Sequence, residues 1–289
     1  MNVAELLNSK KITLSCELFP PKSGSELTAA KQIVAEMAKL SPDYMSVTYG
    51  AGGTNCDNFI DVANEVQNIN GVTALAHLTC VASEKDKIRQ VLTQLKGYGI
   101  RNILALRGDM PSDGSGIPSK SFSHACDLMK EIRDFGGFCI GGACYPEGHP
   151  EAKSLDKDIE YLKLKEECGC EFLTSQMFFD NDAFYSFMYK LLRAGITIPV
   201  TAGIMPVTNA RQIKRMCQLS GAQLPREFRA IVERFGDNPD AMRQAGIAYA
   251  TEQIIDLFAN GINNVHIYSM NNPKIAGSIM ANLSSIIGD

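Results

Sequence analysis

Eight short apolar runs, each long enough for a strand, recur along the chain with helically spaced stretches between them. The runs occupy residues 12–19, 44–49, 72–80, 102–106, 138–145, 171–176, 198–204 and 264–268. The stretches at 25–40, 58–67, 84–96, 125–135, 155–168, 183–194, 209–219, 241–259 and 273–287 read as helices. Strand followed by helix, repeated, builds parallel βαβ units whose sheet is covered by helices. Eight such units in 289 residues predict an α/β fold, a single (β/α)8 TIM-type barrel over residues 1–289 with a helical insertion around 220–240.

In such a barrel the carboxyl ends of all strands open on one mouth, where catalytic residues gather. The uncommon polar residues of this sequence fall at those ends: Glu17, Thr48 and Tyr49, His77 and Thr79, Arg107 and Asp109, Tyr145 with Glu147 and His149, and Gln176. In Leu104-Ala105-Leu106-Arg107-Gly108-Asp109 a buried run ends abruptly in a cation, a glycine and a carboxylate. The glycine lets a flat ligand approach the backbone; alternatively, Arg107 and Asp109 pair internally and fix a turn. Glu17, set between Cys16 and Leu18-Phe19-Pro20-Pro21, is in apolar company that raises a carboxyl's pKa and suits a general acid. The alternative is a salt-bridged barrel glutamate, as His77 and His149 have an alternative as structural histidines. Gly50-Ala51-Gly52-Gly53-Thr54 and Ile140-Gly141-Gly142 are candidate phosphate cradles. No dinucleotide fingerprint, P-loop or nucleophile elbow occurs.

Charge and cysteine usage narrow the partner. A net charge of −4 without runs of Lys or Arg argues against nucleic acid. No apolar stretch nears the roughly 20 residues of a membrane span, and no leader pattern opens the chain, so a cytoplasmic protein with a small-molecule ligand is expected. The nine cysteines form no CxxC pair and read as buried hydrophobes of a reducing compartment. No His, Asp, Glu or Cys set has metal-ligand spacing, so no metal is expected.

Seven stretches, in order across residues 10–285, resemble the methylenetetrahydrofolate reductase family. They are Cys16-Glu17-Leu18-Phe19-Pro20-Pro21-Lys22, Ser46-Val47-Thr48-Tyr49-Gly50-Ala51, His77-Leu78-Thr79-Cys80, the run ending at Asp109, Ala143-Cys144-Tyr145-Pro146-Glu147-Gly148-His149-Pro150-Glu151-Ala152, Ser175-Gln176-Met177-Phe178-Phe179-Asp180 and Gly203-Ile204-Met205-Pro206-Val207-Thr208-Asn209. The resemblance implies a flavoprotein with non-covalent FAD and with NADH or NADPH as co-substrate. It would reduce 5,10-methylenetetrahydrofolate to 5-methyltetrahydrofolate by a ping-pong course through one shared site.

Carried over by position, Glu17 would be the acid that protonates the bridging folate nitrogen and opens the ring. Asp109 would be the second catalytic group, binding the pterin and tuning the flavin. Gln176 and Gln212 would serve both substrates. Thr48, Tyr49, His77, Arg107, Gly108, Asp109, Ala125, Tyr145, His149, Ala152, Asp158, Tyr161 and Lys165 match flavin-site positions. Asn272, also a substrate-site position, stands where bacterial members carry an arginine, and Met216 where they carry an aromatic residue. Tyr161 and Leu164 replace an asparagine and an arginine. The resemblance also implies a homo-oligomer without the regulatory domain of eukaryotic relatives, hence no feedback by S-adenosylmethionine. Two rival expectations are a non-redox pterin-binding methyltransferase barrel and a reductase subunit that needs a redox partner protein.

Overall fold

The computed structural model describes residues 2–49, 56–109, 119 and 121–288, apart from the side chains of Cys56, Asp57, Lys214 and Leu219. Its strands are β1 (Thr13–Leu18), β2 (Tyr44–Val47), β3 (Thr73–Thr79), β4 (Asn102–Leu106), β5 (Cys139–Cys144), β6 (Phe172–Ser175), β7 (Val200–Ile204) and β8 (Asn264–Ile267). Each pairs in parallel with the next, and β8 closes on β1, giving the TIM-type barrel that the alternation predicts. The helices are α1 (Val3–Ser9), α2 (Leu27–Ala38), α3 (Cys56–Asn64), α4 (Lys85–Gly97), α5 (Ala125–Phe135), α6 (Leu155–Glu167), α7 (Asn181–Arg193), α8 (Ala210–Ser220), α9 (Arg226–Phe235), α10 (Pro239–Ala259), α11 (Pro273–Asn282) and α12 (Ser284–Ile287). Among the described residues, no helix is long and apolar enough to cross a membrane.

Alternation along the strands sorts side chains to two sides. Cys16, Leu18, Met45, Val47, Ala76, Leu78 and Ile103 face outward and join the helices in the main apolar core. Between them, Thr13, Ser15, Glu17, Ser46, His77, Thr174, Thr201 and His266 are buried and polar, and their place in the alternation turns them into the barrel. The amino-terminal end of the barrel is plugged by α1, whose Val3, Leu6 and Leu7 pack with Tyr44, Leu75, Leu104 and Phe172. The Asn102 amide ties the plug down, accepting from the Val3 N–H at 2.8 Å and donating to the Ala74 carbonyl at 3.2 Å. The sequence reading has no helix here, because seven residues are too few for a periodic stripe; the Asn2 and Glu5 capping box sets the start.

Other departures from expectation are local. The stretch 58–67 is helical as α3 only to Asn64, and Glu65–Ile69 form a wider π turn. The stretch 273–287 divides at Leu283 into α11 and α12. The insertion holds α9, after which the Asn238 side chain and Pro239 start α10. The glycine-rich stretch 50–54 lies outside the described residues.

Gly203 is the closest-packed inward position of β7. A Cβ there would stand 2.3 Å from the Ser175 carbonyl oxygen and 2.6 Å from the Tyr268 ring. Gly203→Ala should therefore lower unfolding stability by about 2 kcal/mol or more, as overpacking against backbone does. Urea unfolding of the two proteins would show it, and equal midpoints would mean that the β6 backbone at Ser175 and the Tyr268 ring both give way freely.

Candidate active site

Glu17 is the penultimate residue of β1, in register with Ser46 of β2. It is 8% exposed, and burial pushes its carboxyl up to about 8. Among the described residues, the one group within 4.0 Å able to carry a positive charge is His77, whose Nε2 stands 3.8 Å from Oε2. That separation exceeds a hydrogen bond, and burial pushes His77 down to about 4. At neutral pH the pair is thus a carboxylic acid beside a neutral imidazole. The salt-bridged glutamate that the sequence leaves as an alternative would need a charged His77, which its burial opposes.

The floor beneath this pair is polar and uncharged. His266 lies between two hydroxyls, with Nδ1 2.7 Å from Ser15 Oγ and Nε2 3.0 Å from Ser46 Oγ. Ser15 also donates to the Val265 carbonyl at 3.1 Å. A hydroxyl has one proton to give, so all three contacts are satisfied together when Nδ1–H donates to Ser15 and Ser46 donates to Nε2. Burial, then His77, pushes His266 down to about 3. Tyr44 stacks on it at 5.9 Å and Tyr268 meets it edge-on at 5.1 Å. Sequence reasoning missed this group, although Thr13, Ser15 and Glu17, like Asn264, His266 and Tyr268, alternate with apolar neighbours.

On the β6 side, the Gln176 N–H donates to the Cys144 carbonyl at 2.7 Å, and Gln176 Oε1 accepts from the Met177 N–H at 3.0 Å. That orientation leaves its NH2 group as the donor for a ligand. The Tyr268 hydroxyl crosses β7 to donate to the Ser175 carbonyl at 2.7 Å, fixing the strand end from which Gln176 extends.

On the β4 side, Arg107 grips Glu151 through both terminal nitrogens, at 2.5 and 2.8 Å. Its ion pair is with Glu151, and Asp109 stands exposed at the mouth. Gly108 has φ +84° and packs so tightly on β3 that a Cβ would lie 2.8 Å from Thr79 Cβ. Tyr145 and His149 meet edge to face at 4.6 Å, and the His149 N–H donates to Asp158 at 3.0 Å. Burial raises Asp158. Lys165 donates to the Ala143 carbonyl at 2.7 Å, and the Ala152 N–H donates to the His149 carbonyl at 2.8 Å. The Thr48 N–H donates to the Leu18 carbonyl at 2.9 Å, Tyr49 is buried edge-on to Phe59, and Ala125 is the buried first residue of α5.

Some sequence candidates stand apart from this wall. Tyr161 lies on the exposed face of α6 with Lys157 Nζ 5.6 Å from its ring. Gln212 is exposed in the first turn of α8, and Met216 packs in the apolar cluster of Met177, Phe179 and Phe228. Asn272 is exposed and caps α11, accepting from the Lys274 and Ile275 N–H groups at 3.1 and 3.3 Å. Just before it, Met270 and Asn271 both have left-handed backbone, with φ of 54° and 56°. Asparagine tolerates this region, but methionine is strained there by roughly 1–3 kcal/mol. The Asn271 amide brackets Phe19, accepting from its N–H and donating to its carbonyl, both at 2.8 Å. Among the described residues, no three His, Cys, Asp or Glu side chains form a metal-binding group.

A closed parallel barrel with a neutral carboxyl at its carboxyl mouth and amide and guanidinium groups around the rim is a TIM-type barrel whose polar side chains gather where ligand sites of that fold lie. Within that class, the chain belongs to the methylenetetrahydrofolate reductase family, whose model it matches over residues 2–284. A probable methylenetetrahydrofolate reductase (NADH) of Oryza sativa subsp. japonica is 34% identical over 98% of this chain and 50% of its own length. The chain thus spans about half of that relative. The 5,10-methylenetetrahydrofolate reductase of Escherichia coli (strain K12) is 31% identical over 93% of this chain and 90% of its own. Among solved structures, an uncharacterized Clostridium thermocellum protein that binds two copies of 5-methyl-5,6,7,8-tetrahydrofolic acid shares the fold. Its TM-score is 0.69 at 17% identity, covering 100% of this chain and 99% of that one.

Glu17 binds its proton more tightly folded than unfolded. It therefore favours the folded state fully below its unfolded value, near 4.5, and that contribution is lost as pH rises through about 8. Glu17→Gln removes this titration. Relative to the unsubstituted protein, the variant should gain stability between pH 5 and pH 8.5, on the order of 3 kcal/mol. Urea unfolding at both pH values measures it, and a pH-independent difference would mean that Glu17 ionises normally in the fold.

Proposed function

We propose that this chain is a flavin-dependent methylenetetrahydrofolate reductase in which Glu17 is the general acid. The observation that carries the reading is the neutral, buried Glu17 carboxyl at the mouth of a barrel of this family. Methylenetetrahydrofolate is locked by a bridging carbon held between two nitrogens. Proton transfer from Glu17 to one of them lets that C–N bond break, while the other nitrogen's electron pair makes the carbon an iminium. Hydride then adds to that carbon, giving the methyl group. Glu17 is left as a carboxylate that must regain a proton from solvent before the next turnover, and its high pKa favours that return at neutral pH.

The residues present fit a non-covalent FAD along the ends of β2 to β5. His77 Nε2 is buried without a hydrogen-bond partner among the described residues. Arg107 and Lys165 would supply cations to a pyrophosphate, and Gly108, left-handed and packed against Thr79, would fix the turn that carries Arg107 and Asp109. A flavin held there would supply hydride transfer between a reduced nicotinamide and the folate. The plant relatives' names give that donor as NADH, and we adopt NADH here. Asp109 holds the pterin at the exposed rim, with Gln176 and Gln212 offering amides to either substrate in turn. Thr48, Tyr49, Ala125, Tyr145, His149, Ala152 and Asp158 would shape the flavin cleft, with Tyr161 at its outer, exposed edge, while Asn272, whose oxygen caps α11, would offer its NH2 group to the substrate.

The test separates the two half-reactions under anaerobic conditions. NADH should bleach the flavin bands of the purified protein, and methylenetetrahydrofolate should restore them. Glu17→Gln should retain flavin and its reduction by NADH but lose the folate step by about 1,000-fold, in keeping with loss of a general acid. Normal folate turnover by Glu17→Gln would sink the acid assignment. Protein without flavin bands after incubation with FAD would point instead to a non-redox pterin barrel, and flavin that NADH leaves oxidised to a partner-supplied electron route.

Asp109→Asn should raise the folate KM by about tenfold, the cost of one charge-assisted contact. Unchanged kinetics in both half-reactions would remove Asp109 from the site.

A further inference from the structure

We propose that Asn271 is a positioning residue for the Glu17 acid, holding the end of β1 at the seam where the barrel closes. The inference rests on the reading of Glu17 given above. Along that seam the β1–β8 ladder runs from the Thr13–Asn264 pair to the Cys16–Ile267 pair, and stops one residue short of Glu17. The next link is made by a side chain. Asn271 Oδ1 accepts the Phe19 N–H and Nδ2 donates to the Phe19 carbonyl, each at 2.8 Å. An amide offering one acceptor and one donor to a single residue reproduces what a partner strand would offer.

Glu17 therefore lies between two fixed points on this seam, Cys16 held by backbone and Phe19 held by the amide. On the opposite seam, Glu17 and Leu18 pair with Ser46 and Val47, and the Thr48 N–H continues the ladder to the Leu18 carbonyl. Without the amide, the segment carrying the acid would be tied from one side only. The backbone that presents Asn271 is specialised: it and Met270 are both left-handed, and the turn is anchored beyond by the Asn272 cap of α11. A side chain short enough to reach Phe19 and tolerant of that conformation is asparagine. Asn271 binds backbone at Phe19, so its effect on the reaction passes through the placement of Glu17.

Asn271→Gly keeps the left-handed turn accessible and removes both bonds. In the anaerobic half-reactions, flavin reduction by NADH should stay within about twofold, while the folate step falls about 10- to 100-fold, as misplacing a catalytic group does. Coupling decides whether the loss runs through Glu17. In a Glu17→Gln background, adding Asn271→Gly should slow the folate step no further, because the group being positioned is already gone. An undiminished folate step, equal losses in both half-reactions, or full additivity in the double variant would each overturn the proposal. If Asn271→Gly does not fold, Asn271→Asp, which keeps only the bond from the Phe19 N–H, is put through the same cycle and should show a smaller loss with the same coupling. Glu17→Gln that turns folate over normally would instead defeat the acid reading, and this role for Asn271 with it.

Discussion

Removing a carboxyl from water without giving it a cation is the constraint on which this site depends. A buried glutamate facing an arginine or lysine would ionise. Here the partner within reach is an imidazole that burial has itself discharged. The layer below keeps to the same rule, because His266 is satisfied by two hydroxyls and so has no need of a charge. Each neutral group makes its neighbour's neutrality easier, since a charge on any of them would meet a low-dielectric interior. The cations of the mouth, Arg107 and Lys165, are kept on the β4 and β5 side and engaged with Glu151 and the Ala143 carbonyl.

That arrangement explains which parts of the molecule the sequence discloses. The eight-fold alternation is legible because outward strand residues must match helices, and that demand repeats along the whole chain. The polar residues at strand ends are legible because a mouth lacks apolar neighbours to hide them. Glu17 could be read as buried from Cys16, Leu18 and Phe19 around it, but the charge state of whatever faced it could not, since His77 comes from a strand two places away. The plug α1 escaped for a related reason: its partners Tyr44, Leu75, Leu104 and Phe172 are scattered over four strands.

His266 and Asn271 mark a second limit. An inward histidine in a strand looks the same whether it binds a ligand or two serines, and only the neighbouring strands decide. Asn271 sits in a run of asparagines, Asn271-Asn272, where one caps a helix and the other grips β1. Nothing in the pair tells them apart until the left-handed turn aims their amides in different directions. Asn272 also shows how a position can hold its place while its chemistry changes, for its side-chain oxygen is committed to the first turn of α11.

The two ends of the Asn271–Phe19 contact lie 252 residues apart in the chain. Closing a loop of that span costs most when nothing shorter has drawn its ends together, and here the seven intervening strand pairs do so. Glu17 thus stands on the first strand of the barrel, yet one side of its surroundings is supplied by the turn after the eighth. A barrel open at the β1–β8 seam would lack the amide that holds Phe19. The burial that keeps the Glu17 carboxyl neutral is thus completed only by ring closure, when the eighth strand has docked against the first.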